Sequence, residues 1–216
     1  MLRYKNILFD LDGTLTDPKV GITKSVQYAL NKMGIKEDDL DKLTKFIGPP
    51  LAHSFMEFYN FNEKEAYQAV EFYREYFACR GMYENQVYEG IRGLLDKLCR
   101  KGGRLIVATS KPTVFARKIL EHFNLIHYFA DVIGSNLDGT RVDKGEVLKE
   151  ALRVMDIKDL EKTVMIGDRK HDVIGAHRNN IKAIGVIYGY GGREELEKAG
   201  ADYVVSTVKE LENLLI

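Results

Sequence analysis

A short apolar run, Ile7-Leu8-Phe9, ends in two carboxylates, Asp10 and Asp12, and then a glycine. No other feature limits the possible folds as much. The run reads as the end of a buried strand spanning Lys5 to Phe9,. In open α/β sheets, ligands bind just beyond the carboxyl ends of the strands. The stretch Phe9-Asp10-Leu11-Asp12-Gly13-Thr14 therefore predicts a strand that delivers two acids to a ligand site.

The hydrophobic pattern downstream falls into two regimes. From Val20 to Phe77 the spacing is helical, with segments predicted at Val20–Met33, Asp41–Ile47, Leu51–Tyr59 and Glu63–Phe77,. Gly34 stops the first of these, and Gly48-Pro49-Pro50 breaks the second from the third,. Nothing between Asp17 and Gly81 reads as a strand. After Gly90 the pattern alternates. Strands are predicted at Arg104–Ala108, Ala130–Ile133, Thr163–Ile166, Ala183–Ile187 and Tyr203–Val205, with helices between them. Alternation of this kind predicts βαβ units and a parallel sheet. The expected architecture is a doubly wound α/β core of residues 1–17 and 88–216, with a mainly parallel Rossmann-like sheet. A helical cap of residues 18–87 is inserted after its first strand, with hinges near Asp17–Gly21 and Met82–Gly90.

Composition excludes several function classes. Lys plus Arg number 32 and so do Asp plus Glu, so no global positive field gathers a nucleic acid polymer or an anionic membrane,. No apolar run approaches the ~20 residues a membrane span needs, and none resembles a signal peptide. The two cysteines, Cys79 and Cys99, have no metal-ligand spacing. They fit ordinary thiols in a reducing cytoplasm.

Three predicted strands end in polar groups of different kinds. The first ends in Asp10 and Asp12, the second in Thr109-Ser110-Lys111, and the third in Asp168, with Asp172 four residues later. Lys144 opens a helix between the last two. If these ends converge, as many as four carboxylates crowd one spot. Two unit charges ~4 Å apart at an effective dielectric of ~20 repel by about 4 kcal/mol, so the group needs a counter-charge. The donors are all oxygens, which selects a cation of the magnesium type. Lys144 and the Thr109 hydroxyl are suited to hold an anion beside it, and together these are the parts of a phosphoryl-transfer site. There is no GxxxxGK[ST] phosphate loop and no GxGxxG after the first strand,. In their absence an aspartate is the natural nucleophile. An internal control is present. Leu-Asp-Gly-Thr recurs at Leu137–Thr140, but with Asn136 where the first copy has Asp10, and it reads as a polar turn,.

"FDLDGTLTD" closely resembles the first signature of the haloacid dehalogenase superfamily. "IVATSKP", "RVDKGEVL" and "VMIGDRKHDVIGA" resemble its second, third and fourth, in order, over nearly the whole chain. The helical insert resembles the cap of the phosphoglycolate-phosphatase-like branch, and the motif details look closer to its 5′-nucleotidase-like members. The resemblance implies that Asp10 attacks phosphorus and becomes an aspartyl phosphate. It implies that Asp12 protonates the leaving alcohol and then activates water. It implies that Thr109, with Ser110 beside it, and Lys144 hold phosphate oxygens, and that Asp10, Asp168 and the backbone carbonyl of Asp12 ligate Mg²⁺, with Asp172 supporting or ligating. The cap loop Lys45–Leu51 resembles one that contacts substrate, which makes Gly48 and Pro49 candidates for specificity.

The chain also departs from the usual pattern, because Arg169-Lys170-His171 follow Asp168 where small polar residues are common. They read either as a solvated basic turn or as an extra anion contact. The five histidines, His53, His122, His127, His171 and His177, show no ligand spacing. The expected function is a Mg²⁺-dependent phosphatase for a small phosphorylated metabolite, phosphoglycolate or a 5′-nucleotide, acting as a monomer or weak homodimer. The alternatives are a sugar phosphomutase of the same superfamily, whose extra cap signature is missing, and a non-catalytic binding protein that kept the fold. A dehalogenase is disfavoured because that branch lacks the second acid, present here as Asp12.

Overall fold

The computed structural model describes residues 2–216. The chain divides into two compact units, Met1–Asp17 with Val87–Ile216, and Pro18–Gln86.

The first unit is built on a sheet of six parallel strands among the described residues: β1 (Asn6–Phe9), β4 (Arg104–Pro112), β5 (Asp131–Ser135), β6 (Thr163–Gly167), β7 (Lys182–Val186) and β8 (Tyr203–Val205), in the order β5-β4-β1-β6-β7-β8. Helices α4 (Ile91–Arg100), α5 (Thr113–His122), α6 (Lys144–Val154), α7 (Lys170–Arg178), α8 (Arg193–Lys198) and α9 (Val208–Leu215) connect or follow the strands. The strands are continuous apolar runs because helices cover both faces of such a sheet. Ile7, Leu8 and Phe9 are fully buried, and Leu8 joins Ile106, Met165, Val147 and Val173 in one core. Strand β1 lies between β4 and β6, with Phe9 level with both Val107 and Ile166. The chain fills one side of β1 and then the other, so the ends of β1, β4 and β6 flank a topological switch point,.

Several elements differ from the sequence-based expectation. Strand β4 does not stop at Ala108 but runs to Pro112, and its register with β5 breaks between Ala108 and Pro112. Two-residue strands β2 (Thr16–Asp17) and β3 (Gln86–Val87) pair with each other and are too short to leave a periodic signal. The segment expected as an α-helix at Asp41–Ile47 is a 3₁₀ helix, Leu40–Phe46. It is confined between its Asp39 cap and the Gly48-Pro49-Pro50 break.

The second unit packs α1 (Lys19–Lys32) against α3 (Glu63–Tyr76), with α2 (Leu51–Tyr59) between the 3₁₀ helix and α3. Asn62 and Glu65 form a reciprocal capping box at the start of α3,. Phe46 packs against Phe55, Phe58 and Tyr59. Helix α3 ends at Tyr76, one residue short of the expected Phe77, and the chain continues directly into a π-helical turn, Phe77–Gly81. That turn meets α1 backbone to backbone, and a Cβ on Gly21 would sit 1.8 Å from the Gly81 carbonyl oxygen. Among the described residues, no helix is long and apolar enough to cross a membrane.

The Gly21–Gly81 contact yields a test. Gly21→Ala is expected to destabilise the protein by about 2–3 kcal/mol, because the obstacle is backbone rather than a movable side chain. Gly93→Ala is the control. It lies in α4 with nothing within 4 Å of the added methyl, and is expected to add about 0.5–1 kcal/mol,. Urea midpoints of the two variants check the pair. Equal midpoints would show that α1 can step back from the π-turn without loss.

Candidate active site

Asp10 is the first residue beyond β1, and its N–H donates to the Ile166 carbonyl at 2.9 Å. The chain then closes on itself. The amides of Thr14, Leu15 and Thr16 all donate to the Leu11 carbonyl, and Gly13 N–H donates to Thr16 O. Gly13 has φ +80°, and a Cβ there would lie 2.2 Å from an Asp168 carboxylate oxygen. Glycine is thus required twice over, by backbone conformation and by the approach of a second acid. Asp168 follows β6 directly. Asp172 lies in the first turn of α7, where its carboxylate accepts from Arg169 N–H at 3.1 Å. Asp143 caps α6, which makes Lys144 its first helical residue.

The structure brings Asp10, Asp168, Asp172 and Lys144 together. Lys144 Nζ lies 2.9 Å from Asp10 Oδ1, 2.7 Å from Asp172 Oδ1, and 3.1 Å from the Ala108 carbonyl. Asp10, Asp168 and Asp172 each offer a carboxylate oxygen, and these lie within 4.8 Å of one another. The side chain of Asp12 turns elsewhere, to Lys111 Nζ at 2.7 Å. This buried partner was not assigned a role from sequence. All four acids and both lysines are almost fully enclosed. The site therefore encloses two more carboxylates than ammonium groups, and Asp168 Oδ1 is buried with no hydrogen-bond partner. An all-oxygen donor set with an orphaned acceptor and two carboxylates more than ammonium groups fits a hard divalent cation.

Burial dominates the electrostatics. It pushes the carboxyl of Asp168 well above the usual range, and Asp172 and Asp10 add to the effect. Burial likewise raises Asp172 from its ordinary 3.8 to about 6, against the pull of Lys144. The carboxyl of Asp12 is raised by burial although the Lys111 ammonium opposes it. For Lys144, burial alone would favour the neutral amine. The carboxylates of Asp10 and Asp172 outweigh it and hold the group protonated.

The loop after β7 supports these acids, and sequence reasoning missed it. Tyr190 N–H donates to Asp168 Oδ2 at 2.7 Å, and Tyr188 Oη donates to the Thr14 carbonyl at 3.1 Å. The Tyr190 hydroxyl donates to Asp17. A Cβ on Gly189 would lie 2.3 Å from Gly13 O, so two glycines let the loops touch. The signal available in sequence was Tyr188-Gly189-Tyr190-Gly191-Gly192 directly after a strand.

The remaining candidates fall as follows. Thr109 is buried, and its hydroxyl accepts from Lys111 N–H at 3.3 Å. Ser110 uses its carbonyl to accept from the Ser135 hydroxyl. Gly48 and Pro49 belong to the second unit, between the 3₁₀ helix and α2, and Gly48 has φ +104°. Arg169 pairs with Glu195 at 2.9 Å, and Lys170 N–H donates to the same carboxylate. Burial pushes the His171 ring below its usual range, reinforced by Arg169 and Lys170. At the second Leu-Asp-Gly-Thr, Asp138 accepts from the Thr140 amide and hydroxyl, a local turn.

The family profile described as haloacid dehalogenase-like hydrolase matches residues 7–186. A 5′-nucleotidase of Pseudomonas aeruginosa is 54% identical over 90% of this chain and 88% of its own length. The tyrosine-protein kinase PtkA of Mycobacterium tuberculosis is 39% identical over 97% of this chain and 72% of its own. A solved structure, described as a predicted phosphatase from Clostridium acetobutylicum, superposes with a TM-score of 0.95 at 54% identity, covering 97% of each chain.

The raised acids predict the stability of the metal-free protein. A folded state that holds a proton the unfolded chain has released loses stability as pH rises. For Asp172 that window runs from 3.8 to about 6. Above it, the cost of the buried charge is fully expressed. Asp168→Asn is therefore expected to raise the melting temperature in excess chelator at pH 7.5, by about 2–4 °C for each kcal/mol relieved. At pH 4 the gain is expected to shrink. Scanning calorimetry at both pH values checks this, and a variant less stable than wild type at pH 7.5 contradicts it.

Proposed function

The chain belongs to the haloacid dehalogenase-like hydrolases and is a phosphatase, and on that footing we propose that it hydrolyses a small phosphomonoester through an aspartyl phosphate on Asp10. The observation that carries this reading is that two neighbouring buried acids, Asp10 and Asp12, are each held by a different lysine. One acid is thereby prepared to act as a nucleophile and the other as a proton donor.

In the first step an Asp10 oxygen bonds to phosphorus as the ester P–O bond breaks. The electron pair leaves with the alcohol oxygen, which takes a proton from Asp12. In the second step Asp12 removes a proton from water as the water oxygen bonds to phosphorus and the Asp10 acyl phosphate breaks. Lys144, Thr109 and Ser110 hold the phosphoryl oxygens. Asp10, Asp168 and the Asp12 carbonyl, supported by Asp172, would hold Mg²⁺, which would supply positive charge to offset that of the phosphoryl group,. Choice among esters is assigned to the helical unit, through the loop at Gly48 and Pro49. The similarity to a 5′-nucleotidase at 54% identity favours nucleoside monophosphates over phosphoglycolate.

A second reading, phosphoryl transfer from ATP to protein tyrosine, is favoured by the 39% identity to PtkA. Autophosphorylation with labelled ATP separates it from hydrolysis.

Three measurements test the main reading. A screen of nucleoside monophosphates, phosphoglycolate, sugar phosphates and a phosphotyrosine peptide is expected to single out a nucleotide. Asp10→Asn is expected to abolish turnover with the fold intact by circular dichroism, and activity within about tenfold of wild type would sink the nucleophile assignment. Ca²⁺ is expected to replace Mg²⁺ poorly, because it takes more ligands at longer distance. Equal rates with the two ions would contradict the metal assignment.

A further inference from the structure

We propose that Lys111 is the positioning residue of the proton donor. It grips one oxygen of Asp12 so that the other is held toward the leaving group. This rests on the reading that Asp12 protonates the leaving alcohol.

The two lysines of the site divide the acids between them. Lys144 spans Asp10 and Asp172, while Lys111 Nζ lies 2.7 Å from Asp12 Oδ2. The Lys111–Asp12 side chains are only 7% and 12% exposed. Asp12 Oδ1 is buried with no hydrogen-bond partner. The carboxylate is thus asymmetric, with one oxygen anchored and one available. The terminal torsion of an aspartate is broad and roughly two-fold when nothing restrains it. A reacting group that must meet the leaving oxygen gains from having that torsion set beforehand.

The backbone of Lys111 is itself anchored. It lies where the β4–β5 register breaks, so simple strand alternation does not set its direction. Its N–H donates to Thr109 Oγ1 at 3.3 Å, and a Cβ on Gly134 of β5 would lie 2.3 Å from its carbonyl oxygen. Glycine at 134 lets β5 press against the peptide that carries the ammonium.

In the chemical step, the ester P–O bond breaks as the Asp10–phosphorus bond forms, and the leaving oxygen takes the proton from Asp12. Good leaving groups need that proton little and alkoxides need it greatly. Lys111 should therefore matter in proportion to leaving-group basicity. The test is kcat/KM over a series of aryl and alkyl phosphates, which reports the first step whatever limits the second. Lys111→Met is expected to lose about 100-fold or more on an alkyl ester but only about fivefold on p-nitrophenyl phosphate, within the range of general-acid effects. The plot against leaving-group pKa should steepen as it does for Asp12→Asn, and the double variant should be no steeper than Asp12→Asn alone. Lys111→Arg should recover part of the alkyl rate. Lys111→Gln serves where methionine prevents folding. An equal loss on every ester, or a rise in KM with kcat kept, would overturn the inference while Asp12→Asn still steepens the plot. If Asp12→Asn leaves the slope unchanged, the proton-donor reading fails and the inference fails with it.

Discussion

The ion-paired ammonium of Lys144 is the interaction on which the site depends. Without it, Asp10 and Asp172 would face Asp168 across a few ångströms with water excluded. Like charges at that distance do not stay ionised without compensation. Lys144 arrives from α6, a different element from either acid, so the compensation exists only when α6 packs against β4 and α7. Its third partner, the Ala108 carbonyl, ties it to β4 as well. The ion pair is thus also a tertiary lock, drawing three segments of distant sequence to one point.

The compensation is incomplete, and that has functional meaning. A protein selected only for stability would not enclose two more carboxylates than ammonium groups. Removing such charges often stabilises a fold. Sites that keep them do so because a ligand of opposite charge completes the set, and stability is then traded for function. The orphaned oxygen on Asp168 is the local expression of that trade.

Much of this was legible in the sequence, because strand ends in an α/β fold announce themselves. Asp10, Asp168 and Lys144 each sit where an apolar run stops or a helix starts. The parallel sheet followed from the alternation after Gly90. What escaped detection shares one property, that it depends on partners rather than on residue types. Lys111 was visible as a residue, but its pairing with Asp12 requires the irregular course of β4, which no periodicity encodes. Strands β2 and β3 are two residues each, below the length at which alternation can be recognised. The π-turn after α3 hid because its residues are as compatible with an ordinary helix end. The β7 loop was passed over because its key donor is a peptide N–H, which every residue but proline carries.

That last donor has a consequence for how the enzyme tolerates change. Asp168 is oriented by the amide of Tyr190, not by its side chain. The instruction to hold Asp168 is therefore written in loop length and backbone path rather than in any one letter of the sequence. A scan that replaces each residue in turn with alanine would pass over position 190 without disturbing that bond. Deleting one residue of the loop, or placing proline at 190, would remove it outright. In families of such proteins, the residue at 190 should drift in side-chain identity while the loop keeps its length and the glycines at 189 and 191 that let it approach Asp168.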